Sequence, residues 1–509
     1  MPAFLERRAR NVIPRWRDFR STVQLGELDA GSPPKKLELA HDLSSVTADW
    51  QRNKTTSFAG DLISAALVSQ NFSAAREAAE FVISLAEGVS PALHALASRV
   101  LEGNLSPPIT SIDLINLRTD EAPPPSPEIA STRKRLIEHP SDAILWIDLA
   151  YLYAVRGLTD KSERAVRIAL NLAPTNRFVV RSAARFFIHK NRVDIAHDII
   201  RKSPGYKNDP WLVAAEIAVA LSADRMPRSA REGIDLIKSD NFSIHHLSEL
   251  NSAIGTLEFR AGSSGKAKRL FRQSLLAPND NSLAQAKWVS REITGIPVDE
   301  TVDSFQIARP FEAAAYEACE KTDWKTALRS TLQWLSDQPF SSRPARLAAY
   351  LACNILGDFK QSEEIAKFGL VTNPTDPGFH INLAFCYAST GRVEEAMSEL
   401  SLSKSCEGEE WVDAAIDANY GLLAFREGAP ELARKFYAQA VAKADLIQDK
   451  NTKTSALIHW AAEEIGVRDS MAERLLMEAQ EASKNSSGFD IPFLLDRLTK
   501  RITEGAKQG

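Results

Sequence analysis

Apolar residues in the segment SDAILWIDLAYLYAVRGLTDKSERAVRIALNLAPTN (141–176) fall into two runs of helical spacing. Trp146, Leu149, Ala150 and Tyr153 recur every three or four residues, which places them on one face of a helix. Gly157 breaks the run. A second run carries Ala165, Val166, Ala169 and Leu170, and Pro174 ends it. The pattern predicts helix, turn, helix and stop within about 34 residues.

The unit recurs along the chain. Leu383, Ala384, Tyr387, Gly391 and Ala396 occupy the same slots, and the unit before them supplies Ala349, Cys353, Gly357, Leu370 and Pro374. Gly357 and Gly391 are 34 residues apart. Downstream, Tyr420, Gly421, Gly428, Ala433, Tyr437 and Ala440 repeat the pattern; upstream, Ile254, Gly255, Gly262, Ala267 and Phe271 do so. Weaker copies begin near Thr56, Arg177, Asn208, Ala308 and Thr454. Small residues such as Gly255, Ala150, Ala384 and Gly421 belong where two helices press together, and the aromatics beside them fill the gaps. Gly157, Gly391 and Gly428 suit a left-handed residue that closes the first helix. A single pair cannot bury its apolar face, but stacked pairs can.

The unit resembles the tetratricopeptide repeat. That family has an aromatic, a Leu-Gly/Ala pair and a Tyr on the first helix, a Gly in the turn, two Ala and an aromatic on the second helix, and a Pro after it. At 141–176 the departure is Ser162, where the first Ala of the second helix is usual. The resemblance covers 141–290 and 308–482 well and 56–100 weakly. It implies an all-α solenoid of antiparallel helix pairs.

The resemblance also implies which positions line the groove. Arg177, Arg181, Arg185 and His189 form a ladder with four-residue spacing, and Arg181 and Arg185 take the fifth and ninth positions of a first helix. Basic residues at those positions clamp the carboxylates of a partner peptide in some family members. Arg181, Arg185 and His189 are therefore candidates for binding an acidic group. The neighbouring repeats do not continue the clamp, having Ile147 and Tyr151 before it and Leu212 and Glu216 after it. In the C-terminal block the corresponding positions are apolar: Leu347, Leu351, Ile381, Phe385, Leu422 and Phe425. Such a stripe wants a cover. Candidates are a partner helix, a second copy of the chain, another segment of this chain, or the N-terminal arm.

The segmentation follows. Residues 1–55 form an arm or cap and 56–102 a weak repeat. Residues 103–128 form a linker or wrapped loop with six prolines, 129–293 a first block and 294–307 a connector. Residues 308–482 form a second block and 483–509 a C-terminal cap or tail. A length of 509 residues exceeds one ordinary core, which fits an array. Net charge is -4, so there is no whole-chain basic field for nucleic acid. Charge is local instead. Residues 1–20 hold Arg7, Arg8, Arg10, Arg15, Arg17 and Arg20 against Glu6 and Asp18, with Phe4, Trp16, Phe19 and Val23 interleaved. Residues 391–420 carry eight acids against Arg392 and Lys404.

Enzyme chemistry finds little footing. GSSGK at 262–266 is too short for a phosphate loop, has Ala267 where magnesium needs a hydroxyl, and sits at an inter-helix turn. His245-His246 reads as a helix start. Cys319, Cys353, Cys386 and Cys406 form no zinc spacing, and Cys353 and Cys386 read as core. No metal, cofactor or catalytic residue is expected. No apolar run follows the basic N-terminus and none reaches membrane-spanning length, so the cytoplasm is the expected location. The reading is a non-catalytic scaffold or adaptor within a larger assembly, binding protein partners by peptide or helix docking. The alternative is an RNA-binding repeat protein using the Arg-rich N-terminus and the Arg177–His189 ladder.

Overall fold

A computed structural model describes residues 10–17, 37–68, 71–85, 89, 91–102, 127–239, 241–291, 296, 302–305, 307, 309–406, 410–467 and 470–508. Most of the proline-rich 103–128, and much of 294–307, lie outside them. Every regular element among the described residues is helical. The chain divides into two compact units, Arg10–Pro310 and a second built from Phe311–Gly509.

The first unit opens with α1 (Leu37–Arg52), α2 (Thr56–Val68), α3 (Phe72–Ser84) and α4 (Pro91–Glu102). It continues with α5 (Pro127–Glu138), α6 (Ala143–Ala154), α7 (Thr159–Leu172), α8 (Arg177–His189) and α9 (Val193–Lys202). It ends with α10 (Pro210–Ser222), α11 (Ala230–Lys238), α12 (Ile244–Arg260), α13 (Ser264–Ser274) and α14 (Asp280–Ser290). The second unit holds α15 (Phe311–Glu320), α16 (Trp324–Asp337), α17 (Ser342–Tyr350), α18 (Phe359–Thr372), α19 (Pro377–Ser389) and α20 (Val393–Ser405). After these come α21 (Trp411–Arg426), α22 (Pro430–Leu446), α23 (Lys450–Val467), α24 (Met471–Ser483) and α25 (Ile491–Gln508).

Sequence-adjacent helices pack as pairs: α6 with α7, α8 with α9, α12 with α13, α19 with α20, α21 with α22. The turn inside each pair uses a left-handed residue. Gly157, Gly262, Gly357, Gly391 and Gly428 have φ of 68, 77, 73, 77 and 74°. Where glycine is missing, Asn191, Asp224 and Thr322 adopt the same region at 54, 51 and 54°. Asn and Asp tolerate this conformation better than other side chains. The conformation therefore persists through repeats whose sequence signature has faded. GSSGK is such a turn, with α13 starting at Ser264.

The small slots work by contact. A β-carbon on Gly255 would meet the Phe271 ring at 3.1 Å, and one on Gly421 would meet Tyr437 at 2.5 Å. Ser162 departs from the repeat pattern but fits its slot: its hydroxyl donates to the Ala150 carbonyl at 2.8 Å. Ser362 does the same to Ala349 in the second unit, also at 2.8 Å. A buried hydroxyl with a partner replaces an alanine at little cost. Gly421→Leu is expected to lower stability by roughly 1–3 kcal/mol or more, because the fully buried Tyr437 cannot swing away. Unchanged thermal unfolding of the purified variant would mean that α21 and α22 do not meet at this slot.

Candidate peptide-binding groove

The ladder on α8 is internally paired at its first two rungs. Arg177 contacts Asp61 on α2 at 2.6 Å and Asp209 at the start of α10 at 2.7 Å. Arg181 donates to Glu249 on α12 at 2.8 Å and to the Trp211 carbonyl at 2.9 Å, with its guanidinium over the Trp211 ring. The acidic group that Arg181 meets is thus the chain's own Glu249. Arg185 and His189 follow on α8, both half-buried.

Glu249 is 1% exposed and holds a network together. It also accepts from the Asn279 amide at 3.0 Å and the Asn281 amide at 3.2 Å. From Asn281 the network passes to the N-terminal segment Arg10–Arg17, which has no regular secondary structure and lies in the first unit. Arg10 is 2% exposed and donates to Asn281 Oδ1 at 2.9 Å and Gln285 Oε1 at 2.8 Å. In return Gln285 donates to the Arg10 carbonyl at 2.8 Å and Asn281 to the Ile13 carbonyl at 3.0 Å. Two carboxamides of α14 therefore read the segment's main chain. Arg15 and Arg17 both reach Asp280 at the head of α14, at 3.2 and 2.7 Å.

The apolar anchors are as well held. Trp16 is fully buried, with Tyr151 of α6 and Phe186 of α8 edge-on to it, ring centroids at 5.5 and 5.9 Å. Val12 joins an apolar cluster with Val213 and Ile217 of α10 and Leu250 and Ile254 of α12. The segment thus meets α6, α8, α10 and α12, the first helices of successive pairs, and α14, which follows them. Paired helices with a recurring left-handed turn, whose first members together line one groove, are the tetratricopeptide arrangement.

The described residues thus have the all-α fold of antiparallel helix pairs that the resemblance implies. No protein-family model and no curated protein matches its sequence. Among solved structures, yeast Tom70 is 12% identical, covering 88% of this chain and 96% of that one, with a TM-score of 0.33. The APC/C hetero-tetramer Cut9-Hcn1 is also 12% identical, covering 94% and 98%, with a TM-score of 0.36. The human IFIT1 dimer with m7Gppp-AAAA is 11% identical, covering 94% and 99%, with a TM-score of 0.34.

In the second unit, the apolar stripe is inside the core. Leu347, Leu351, Ile381, Leu422 and Phe425 are buried, and Phe385 is half-buried with the His459 ring against it at 5.2 Å. The same core takes Ile491, Leu494 and Leu498 of α25. That helix is fastened beside the stripe. Arg497 donates to the carbonyls of Asn354 and Ile355 at 2.9 and 3.2 Å, satisfying groups left open where α17 runs into a π-turn at Leu351–Ile355. The Tyr350 hydroxyl donates to the buried Asp490 carboxylate just before α25. The stripe and α25 thus belong to one core of the second unit. Of the N-terminal arm, residues 1–9 and 18–36 lie outside the described residues.

Burial, with the Arg497 cation nearby, pushes His459 down to about 3. It stays neutral when folded, so its contribution is complete above the unfolded value near 6.5 and is lost as pH falls toward 3. The expected result is a one-proton slope of about 1.4 kcal/mol per pH unit across that window, absent in His459→Leu. Parallel acid-unfolding curves for the two proteins would refute it.

The remaining chemistry is structural in placement. His246 starts α12 and faces Asp49 at 2.6 Å. Cys353 and Cys386 are both buried, with sulfurs 3.1 Å apart. Among the described residues, no three His, Cys, Asp or Glu gather as metal ligands, and no helix is long and apolar enough to cross a membrane. From the sequence, the Arg-rich N-terminus is a candidate surface for RNA. Arg10 instead points inward. Asn281 and Gln285 went unnoticed; their signal is two carboxamides four residues apart on one helix, facing the groove.

Proposed function

We propose that this chain is a non-catalytic interaction scaffold whose partners dock as extended segments on the first-helix face of a repeat array. One observation carries the reading: in the first unit that face already holds a non-helical segment by its main-chain carbonyls, through Asn281 and Gln285. Main-chain recognition supplies affinity along an extended peptide, and flanking pockets supply specificity. Arg185 and His189 are proposed to extend this face for partner contact. A role within a larger assembly and a cytoplasmic location belong to the same proposal. The RNA-binding alternative leans on guanidinium groups already engaged at home: Arg10, Arg15 and Arg17 on α14, Arg177 and Arg181 on three carboxylates.

Cross-linking mass spectrometry on complexes captured with the full chain tests the proposal. Cross-links concentrated on α6, α8, α10, α12 and α14, or on their second-unit counterparts, are expected. Cross-links confined to the second helices of the pairs would overturn it. Binding to single-stranded RNA that falls steeply with salt would favour the alternative.

A further inference from the structure

The segment Arg10–Arg17 has the anatomy of a bound peptide ligand rather than of a repeat. It has no helix of its own, and its contacts are main-chain carbonyls on carboxamides, guanidiniums on acids, and one indole in an aromatic slot. Every one of those contacts is available to a segment from another molecule. The groove's chemistry also specifies what such a segment must look like. Asp280 takes two guanidiniums at once, and Glu249, itself paired with Arg181, stands behind Asn281. The Asp280 charge favours a basic segment and disfavours an acidic one. The Val213–Ile254 cluster takes an aliphatic side chain, and the Tyr151–Phe186 slot takes an indole edge-on.

Resting on the scaffold reading above, we propose that the first-unit groove binds in trans an extended basic segment of a partner protein. That segment presents a guanidinium, an aliphatic residue two positions on and a large aromatic six positions on, the spacing of Arg10, Val12 and Trp16. Residues 10–17 are the tethered competitor for that partner. Tethering gives the competitor an effective concentration in the millimolar range, so a partner must displace it and pre-existing occupancy sets the threshold for binding. The groove then discriminates twice, by charge and aromatic fit and by the need to outcompete the chain's own segment. This runs opposite to the acid-binding role expected of Arg181, whose charge is already matched by Glu249.

The experiment uses the full chain with a protease recognition sequence placed between Arg17 and Leu37, so that one cut turns the tether into a dissociable peptide. The probe is a fluorescent synthetic peptide spanning Arg8–Phe19, followed by anisotropy. The cut protein should take up the probe with its helical spectrum intact, and the uncut protein should bind it at least ~100-fold more weakly. Probe variants Trp16→Ala and Arg10→Gln should each lose tenfold or more, and a version with Arg15 and Arg17 changed to Glu should not bind. The proposal is overturned if the cut protein keeps its own segment and takes up no probe. It is equally overturned if cutting collapses the helical spectrum, which would make the segment part of the fold, or if uptake ignores the Arg10 and Trp16 changes. None of these failures would move partner cross-links on the other first helices, so the scaffold reading would stand or fall separately.

Discussion

Glu249→Ala is expected to destabilise the first unit by about 3–5 kcal/mol, the cost of leaving one member of a buried ion pair alone. Glu249 is almost wholly buried, and its carboxylate accepts from Arg181, Asn279 and Asn281. Removing it takes the counter-charge from the Arg181 guanidinium, this acceptor from the Asn279 amide and one of two acceptors from the Asn281 amide. The Asn281 amide also holds the Ile13 carbonyl, so the loss should spread to the N-terminal segment. Glu249→Gln separates the contributions: it keeps shape and an acceptor but removes charge, and should cost less than alanine. Denaturant unfolding should be followed with probes specific to each unit, because two units need not unfold as one transition. If alanine and glutamine cost the same small amount, the carboxylate is not the centre of the network.

Trp16→Ala should be comparably severe, about 3–5 kcal/mol, as for other large aromatics removed from closed sites. The indole is fully buried between Tyr151 and Phe186, and those rings belong to different repeats. Its removal therefore opens a cavity at the joint between α6 and α8. Trp16→Phe should recover part of the loss, since a smaller ring still meets both partners edge-on. Intrinsic fluorescence offers a direct readout, because a buried Trp16 emits to the blue of an exposed one. An alanine variant with wild-type stability would place the indole outside the groove.

The repeat was legible in the chain because its signals are local. A glycine that closes a helix, a small residue at a helix contact and a proline after the second helix act within one unit. Gly157, Gly391 and Gly421 therefore announced their roles, and the structure places them accordingly. Locality also explains what faded: Asn191, Asp224 and Thr322 perform the glycine's task without its signature. Ser162 looked like a departure, and only the Ala150 carbonyl opposite it shows why a hydroxyl fits.

What fills a groove is not local. Arg10 meets Gln285 across 275 positions, and Tyr350 meets Asp490 across 140. The sequence by itself determined the helix pairs, the register of their small residues, and the facts that one array has a basic ladder and the other an apolar stripe. It could not say that the ladder's Arg181 is neutralised by Glu249, that the stripe lies buried in one core with α25, or that the Arg-rich arm turns inward at Arg10. Those outcomes depend on burial, where an unpaired charge or an uncovered apolar face costs several kcal/mol and must find its complement somewhere in the chain. Any of several acidic or apolar segments satisfies that demand on paper. The tertiary structure alone decides which one arrives.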